Sequence, residues 1–334
     1  MGRFAVTHVP GLEQHAAAWL ARAGASAILS AEGLALFTSP HQTPSFPWAA
    51  NVFTVLEEGR AKDAQDWIAW LMKHTGWAAR LERHADEPRT FRIMPMQRGT
   101  LTAVAPKLMS AMEDAIARAT GWESYRARPD IELWAVARED GMAVFMMRMT
   151  RKRREGPGEN PAPGTLAPDL CGALAQMAGV TRGDIALDPF AGSGAIVRAM
   201  AARGAEVVCA DRDAVAAHAL AMLARTVPGV KASCCDAFEA AWEQGAFSAV
   251  VTDPPWGTFK PLDRPVKQYV AALAELCDHT LSQDGIAVLL WAREDALAAA
   301  LKAKGFAVTR TDILLHGRKA AVWLAERRPA TPQA

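Results

Sequence analysis

Apolar and polar positions follow one rhythm before about residue 150 and another after it. In the first part, short runs alternating apolar and polar read as half-buried strands, and apolar residues three and four apart read as helices. Phe4 to Val9 alternates as a strand, Pro10-Gly11 breaks it, and Leu12 to Ala23 reads as an alanine-rich helix ended by Gly24. Strands over Ala27–Leu29 and Leu34–Thr38 join across Glu32-Gly33, and the three prolines between Ser39 and Pro47 make a loop. Residues 48–60 give another strand and a turn, and 61–74 has helical spacing at Trp67, Trp70 and Leu71. Strand, helix, strand, strand, helix predicts a small α+β unit.

A second small unit runs from Thr90 to Met149. Phe91-Arg92-Ile93 opens it as a strand, 107–119 reads as a helix, and strands over 130–137 and 143–149 turn at Asp140-Gly141. Residues 151–164 begin Arg151-Lys152-Arg153-Arg154-Glu155 and continue with glycines and prolines, so the main boundary is placed there. From Leu166 onward, strand candidates at 185–187, 206–210, 230–233, 249–252, 285–291, 307–314 and 320–324 alternate with helices. That alternation predicts an α/β fold with a mostly parallel, doubly wound sheet. The last two candidates leave no room for a helix between them, so an antiparallel edge is expected. The divisions are 1–60, 61–149, a linker 150–165, and 166–328.

Composition narrows the class. With 51% hydrophobic and 22% charged residues the chain buries real cores, and no run approaches the roughly 18 apolar residues of a membrane helix. Because the N-terminus enters a strand-like segment directly and not a signal-peptide core, a cytoplasmic protein is expected; a monomer is expected as well. The five cysteines, Cys171, Cys209, Cys234, Cys235 and Cys277, lack paired spacing, so no zinc or other metal site is expected, and most read as buried apolar residues. Net charge is +1, too mild an imbalance to argue for nucleic acid by itself.

The candidate chemistry lies in the C-terminal part. Asp188-Pro189-Phe190-Ala191-Gly192-Ser193-Gly194 follows an apolar strand and precedes a helix, where glycines let the backbone pass close to a ligand. Asp211 ends the next strand, where a carboxylate can accept ribose hydroxyls, and Asp236, beside Ala237, follows a third and can accept an adenine amine. A dinucleotide fingerprint needs a third glycine, which is missing here. An acidic residue leading the loop repels phosphate but favours the amino or sulfonium part of S-adenosylmethionine, which is therefore the expected cofactor. Asp253-Pro254-Pro255-Trp256 follows a fourth strand, 65 residues beyond Asp188 and at the same carboxyl edge by the crossover rule. Consecutive prolines fix φ and remove two donors, so Asp253 and the local carbonyls face an amine as acceptors. Trp256 offers a flat face to the base that carries the amine.

On these motifs the C-terminal half resembles a Class I, Rossmann-like amino methyltransferase with a DPPY/W motif. Phe4 to Glu13 resembles the opening of the ferredoxin-like domain that precedes a THUMP domain, and Thr90 to Pro95 with Pro129 to Val136 resembles the THUMP domain itself. Together they are similar to the THUMP-containing tRNA guanine-N2 methyltransferases over nearly the whole chain. The resemblance implies catalytic Asp253, Pro254, Pro255 and Trp256. It implies a cofactor set of Thr165, Leu166, Pro168, Asp188, Phe190, Ala191, Gly192, Ser193, Gly194, Asp211, Asp236 and Ala237. Two departures stand out: Trp256 replaces the commoner Tyr, and Arg151 to Glu155 replaces the usual basic-Gly-aromatic linker.

The expected reaction is methyl transfer to the exocyclic N2 of a guanosine in tRNA, with the base drawn from its stack and the N-terminal domains gripping RNA. A DNA methyltransferase acting on adenine N6 or cytosine N4 is the first alternative, and a non-catalytic RNA-binding protein the second. The basic cluster Arg148 to Arg154 is a candidate phosphate contact. Trp67, Trp70 and Trp77 read as core, and His8, His218, His279 and His316 stand alone.

Overall fold

The Glu32-Gly33 turn has positive φ at both residues, 54° and 72°, the geometry that lets a two-residue turn follow the twist of its strands. In the computed structural model it joins two strands of the first of two compact units, residues 1–46 with 51–154 and residues 47–50 with 155–334. The structure describes residues 2–41, 44–87, 89–150, 165–257, 261–291, 295–315 and 317–327.

The first unit runs β1 (Gly2–Thr7), α1 (Glu13–Arg22), β2 (Ser26–Ala31), β3 (Leu34–Ser39), β4 (Asn51–Arg60), α2 (Ala64–Lys73) and α3 (Gly76–Glu82). It continues with β5 (Thr90–Gln97), β6 (Thr100–Leu101), α4 (Pro106–Thr120), β7 (Glu123–Ser124), β8 (Ile131–Ala137) and β9 (Met142–Arg148). Its strands form one sheet in the order β2-β3-β1-β4-β9-β8-β5-β6, with β7 beside β5. Alternation sorts the faces: Leu133 and Ala135 of β8, Phe91 of β5 and Phe145 of β9 pack on Trp67, Ile68 and Leu71 of α2, Trp77 of α3 and Ile116 of α4. Trp67 and Trp77 are core, as expected, and Trp70 packs against them. The expected division at residue 60 falls where β4 pairs antiparallel with β9, inside this continuous sheet.

The second unit runs α5 (Pro168–Met177), β10 (Ile185–Asp188), α6 (Ala195–Ala201), β11 (Glu206–Asp211), α7 (Ala214–Thr226), β12 (Val230–Cys234) and β13 (Phe247–Thr252). Then come α8 (Val266–Thr280), β14 (Leu281–Trp291), α9 (Asp295–Ala303), β15 (Phe306–Leu315) and β16 (Arg318–Arg327). The sheet order is β12-β11-β10-β13-β14-β16-β15. β10 to β14 pair in parallel, and β16 is antiparallel to both neighbours, the antiparallel edge expected from the short link between the last strands. Order reverses at β10: β11 lies on one side and β13 on the other, which opens a crevice at the carboxyl ends. Among the described residues no helix is long and apolar enough to cross a membrane. The linker expected at 150–165 lies almost wholly outside the described residues.

Candidate active site

Because β10 and β13 are parallel neighbours, paired at Leu187 and Val250, both deliver their last residues to one edge. Thr252 Oγ1 donates a 2.7 Å hydrogen bond to Asp188 Oδ1, and the Phe190 backbone N–H approaches the same oxygen at 3.4 Å. The residue that leads the glycine loop is thus tied to the residue that precedes Asp253. Asp188 is 1% exposed, and its Oδ2 has no partner among the described residues. Burial pushes its pKa up to about 7 against the lowering pull of Thr252 and Phe190, with the charges of Asp253 and Asp211 adding to the rise.

The glycine loop is built on two left-handed residues. Gly192 has φ 52°, and space is open where a Cβ would stand; its N–H donates to Asp211 Oδ2 at 2.9 Å. Gly194 has φ 80°, and a Cβ there would lie 2.7 Å from Leu223 Cδ2 of α7. Ala191 is anchored by its N–H to the Ala210 carbonyl at 2.9 Å. Thr165 Oγ1 lies 3.4 Å from the exposed Ser193 Oγ, Leu166 accepts a weak hydrogen bond from Cys171 Sγ, and Pro168 begins α5. Thr165 is therefore brought beside the loop.

Asp211 is a busy carboxylate: besides Gly192 it accepts the Asp213 N–H at 2.9 Å. Asp236 accepts the Phe238 N–H at 2.9 Å and meets Arg212 Nη1 at 3.4 Å, while Ala237 is buried in the core. Arg212 Nη1 also reaches Asp263 Oδ2 at 3.0 Å, and these partners, Asp263 first, raise the guanidinium pKa further. A cavity of about 440 Å³ opens here, lined by Asp211, Arg212, Asp213, Pro255, Pro261, Leu262, Asp263 and Tyr269. Its size suits a small ligand.

Of the Asp253-Pro254-Pro255-Trp256 segment, Pro254 is buried and Pro255 exposed. Asp253 keeps a small opening to solvent, and desolvation pushes its pKa up to about 7 despite the Trp256 hydrogen bond that opposes the rise. Trp256 Nε1 donates to Asp253 Oδ1 at 2.8 Å and to the Leu290 carbonyl at 3.1 Å. The indole is thereby fixed against the carboxylate. Burial lifts the thiols of Cys171, Cys209 and Cys277 to about 12, so these cysteines stay protonated and offer no nucleophile for a covalent route. Cys234 is exposed and Cys235 partly so, unlike the other three.

Residues 156–317 match the family model of the UPF0020, RMKL-like, methyltransferase domain. The second unit contains a methyltransferase domain. No match was found among curated proteins. Among solved structures, TrmN from Thermus thermophilus is 21% identical, covers 98% of this chain and 100% of its own, and superposes with a TM-score of 0.77. SMU.472, a putative methyltransferase complexed with SAH, is 13% identical over 99% of both chains, TM-score 0.68. A predicted N6-adenine-specific DNA methylase from Listeria monocytogenes is 13% identical over 98% of this chain and 96% of its own, TM-score 0.67. These likenesses establish a common fold. The methyltransferase match supports S-adenosylmethionine as the cofactor, and the residues fit it: an unpartnered buried carboxylate oxygen on Asp188 for a cationic group, and open space beside Gly192 for close approach.

Sequence reasoning missed Thr252, Arg212, Asp263 and Tyr269. Thr252 could have been found by asking which residue precedes a motif at a strand end; the others come from loops and a helix whose spacing carries no signal. The basic cluster fares differently. Arg148 lies on Glu132 at 2.5 Å, with its side chain 12% exposed, so it is held within the sheet and withdrawn from phosphate; Arg151 to Arg154 lie outside the described residues.

Proposed function

We propose that the protein transfers a methyl group from S-adenosylmethionine to the exocyclic N2 of a guanosine in tRNA. The observation that carries this reading is the Thr252 to Asp188 hydrogen bond, which places the glycine loop and Asp253 side by side at one sheet edge. When bound, S-adenosylmethionine supplies an electrophilic methyl group. Asp188 would hold a cationic part of it through Oδ2, Gly192 and Gly194 would let the backbone approach, and Asp211 would accept ribose hydroxyls. Thr165, Leu166, Pro168, Phe190, Ala191 and Ser193 would complete that wall, with Asp236 and Ala237 toward the base.

Asp253 and the Pro254 carbonyl would hold the amine by its hydrogens, turning its lone pair toward the methyl carbon. Alignment is the main source of rate, since a guanine amine is delocalised and a poor nucleophile. Asp253, held by Trp256, would take the departing proton, and its raised pKa suits that task near neutral pH. Pro255 and Trp256 would border the flipped base. Residues 1–60 and 61–149, read as ferredoxin-like and THUMP domains by resemblance, would grip the RNA through shape and phosphates.

The fold shared with a predicted DNA methylase favours testing DNA beside RNA. Labelled methyl transfer from S-adenosylmethionine to tRNA, rRNA and DNA, offered separately, tests the substrate class. Label is expected in tRNA; label in DNA alone would replace the RNA reading with the DNA one.

A further inference from the structure

A cavity of about 230 Å³ opens in the first unit between the turn that joins β2 to β3 and the turn that joins β5 to β6. Glu32 and Gly33 line it from one turn and Gly99 from the other, and Trp134, Met96 and Met146 give it apolar walls. Each turn is two residues long and begins with a charged residue at positive φ, Glu32 at 54° and Arg98 at 51°. Among the described residues no other non-glycine has positive φ. Such turns take glycine, asparagine or aspartate most readily, and a longer side chain there is held against steric crowding. That both exceptions fall at one cavity mouth points from strain to function.

Glu32 is held ready by its neighbours. Arg138 donates to the Ala31 carbonyl at 2.9 Å, the His8 N–H donates to the Gly33 carbonyl at 2.8 Å, and Glu13 accepts the Gly33 N–H at 3.2 Å. The carboxylate of Glu32 is not needed to neutralise Arg138. Asp140 does so, accepting from the guanidinium at 3.2 Å, whereas Glu32 stands 3.9 Å off, beyond hydrogen-bond reach. Its side chain is 36% exposed and offers two acceptor oxygens. On the wall, the Trp134 indole is fixed by its N–H to Glu132 Oε2 at 3.3 Å and by the Phe53 ring 5.0 Å away. An indole beside two thioethers suits a flat ring.

Smaller than a drug-sized pocket, the cavity suits one ring system. A carboxylate accepts and does not donate, so it selects a ring edge with two adjacent N–H donors and rejects one on which a donor and an acceptor alternate. Among the nucleobases guanine has such an edge, N1–H beside the N2 amine, while adenine, cytosine and uracil each set an acceptor beside the donor. We propose that this cavity binds a guanine base, with N1–H and N2–H donated to Glu32 and the ring laid against Trp134. It is a second guanine site, carried by the first unit, besides the reacting guanine read at Asp253. The base belongs either to a guanosine of the RNA or to a free guanine nucleoside, and only the first source rests on the RNA reading above.

The test is calorimetric titration of the full-length protein with guanosine and with inosine, which lacks the N2 amine, for the wild type, Glu32→Gln and Asp253→Asn. Glu32→Gln replaces one acceptor with a donor and should weaken guanosine by roughly ten- to hundredfold, whereas Asp253→Asn should keep this binding. Inosine should bind the wild type more weakly than guanosine does. Glu32→Gly relieves the backbone, so it should lose guanosine yet melt no lower than the wild type. Guanosine affinity unchanged by Glu32→Gln, inosine bound as tightly as guanosine, or a lower melting temperature for Glu32→Gly would each overturn the proposal, the last by showing that Glu32 serves as a brace. Filter binding of tRNA separates the sources: weaker binding by Glu32→Gln makes RNA the source, and equal binding makes it the free nucleoside. If Asp253→Asn loses guanosine and Glu32→Gln keeps it, this inference falls and the methyl-transfer reading stands.

Discussion

In the proposed reaction Asp253 must be shielded enough to sit beside an uncharged amine and ionised enough to accept its hydrogens. A pKa raised to about 7 by burial meets both needs only above neutrality, so turnover should climb as pH rises through about 7 and level off beyond it. A pH-rate profile checks this. Trp256→Phe keeps a flat face but loses the N–H that lowers the Asp253 pKa, so turnover should fall and the climb should move to higher pH; an unmoved profile would deny the indole its hold on Asp253. Stability runs the other way. The folded pKa of Asp253 lies above its unfolded value, so the stability from this group is fully present below about pH 4 and lost as pH rises through about 7. Asp253→Asn should therefore unfold at higher denaturant concentration than wild type at pH 8, by roughly 1–4 kcal/mol, while losing methyl transfer and keeping cofactor binding.

At the scale of elements, the glycine loop and its neighbouring strand end act together. Asp211 accepts the Gly192 and Asp213 N–H groups, so Asp211→Ala removes a proposed ribose contact and loosens the loop at once. Cofactor affinity should drop by roughly 1.5–3 kcal/mol, measured by calorimetry on the folded variant; unchanged affinity would take Asp211 out of the site. Gly194→Ala should cost roughly 1–3 kcal/mol in denaturant unfolding, because the new Cβ meets Leu223 at 2.7 Å and φ stays positive. The second unit was largely legible in the sequence, since its buried strands are near-continuous apolar runs such as Val250-Val251 and their parallel order follows from the helices between them. The first unit was legible in pieces. Nothing local announces that β4 pairs with β9, some ninety residues on, and α3 is too short for its two core residues, Trp77 and Leu81, to declare a period. The candidate site's motifs stand out in the sequence because glycine and proline punctuate them; Thr252 and Arg212 do not, because the partners they bond are set beside them only by the fold.

For the whole molecule, the proposed function puts the chemistry in the second unit and the grip on RNA in the first. A net charge of +1 gives little general attraction, so binding of tRNA should depend on local clusters and weaken steeply as salt rises, which filter binding across a salt series would show. Under the proposed function Asp253→Asn should bind tRNA as wild type does, because the substitution leaves the first unit untouched. The central claim concerns which atom receives the methyl group. Incubation of unmodified tRNA with the protein and labelled S-adenosylmethionine, followed by digestion and mass identification of the labelled nucleoside, reads it directly. The account expects N2-methylguanosine from the wild-type protein and none from Asp253→Asn; labelled N6-methyladenosine, or undiminished transfer by the variant, would contradict it.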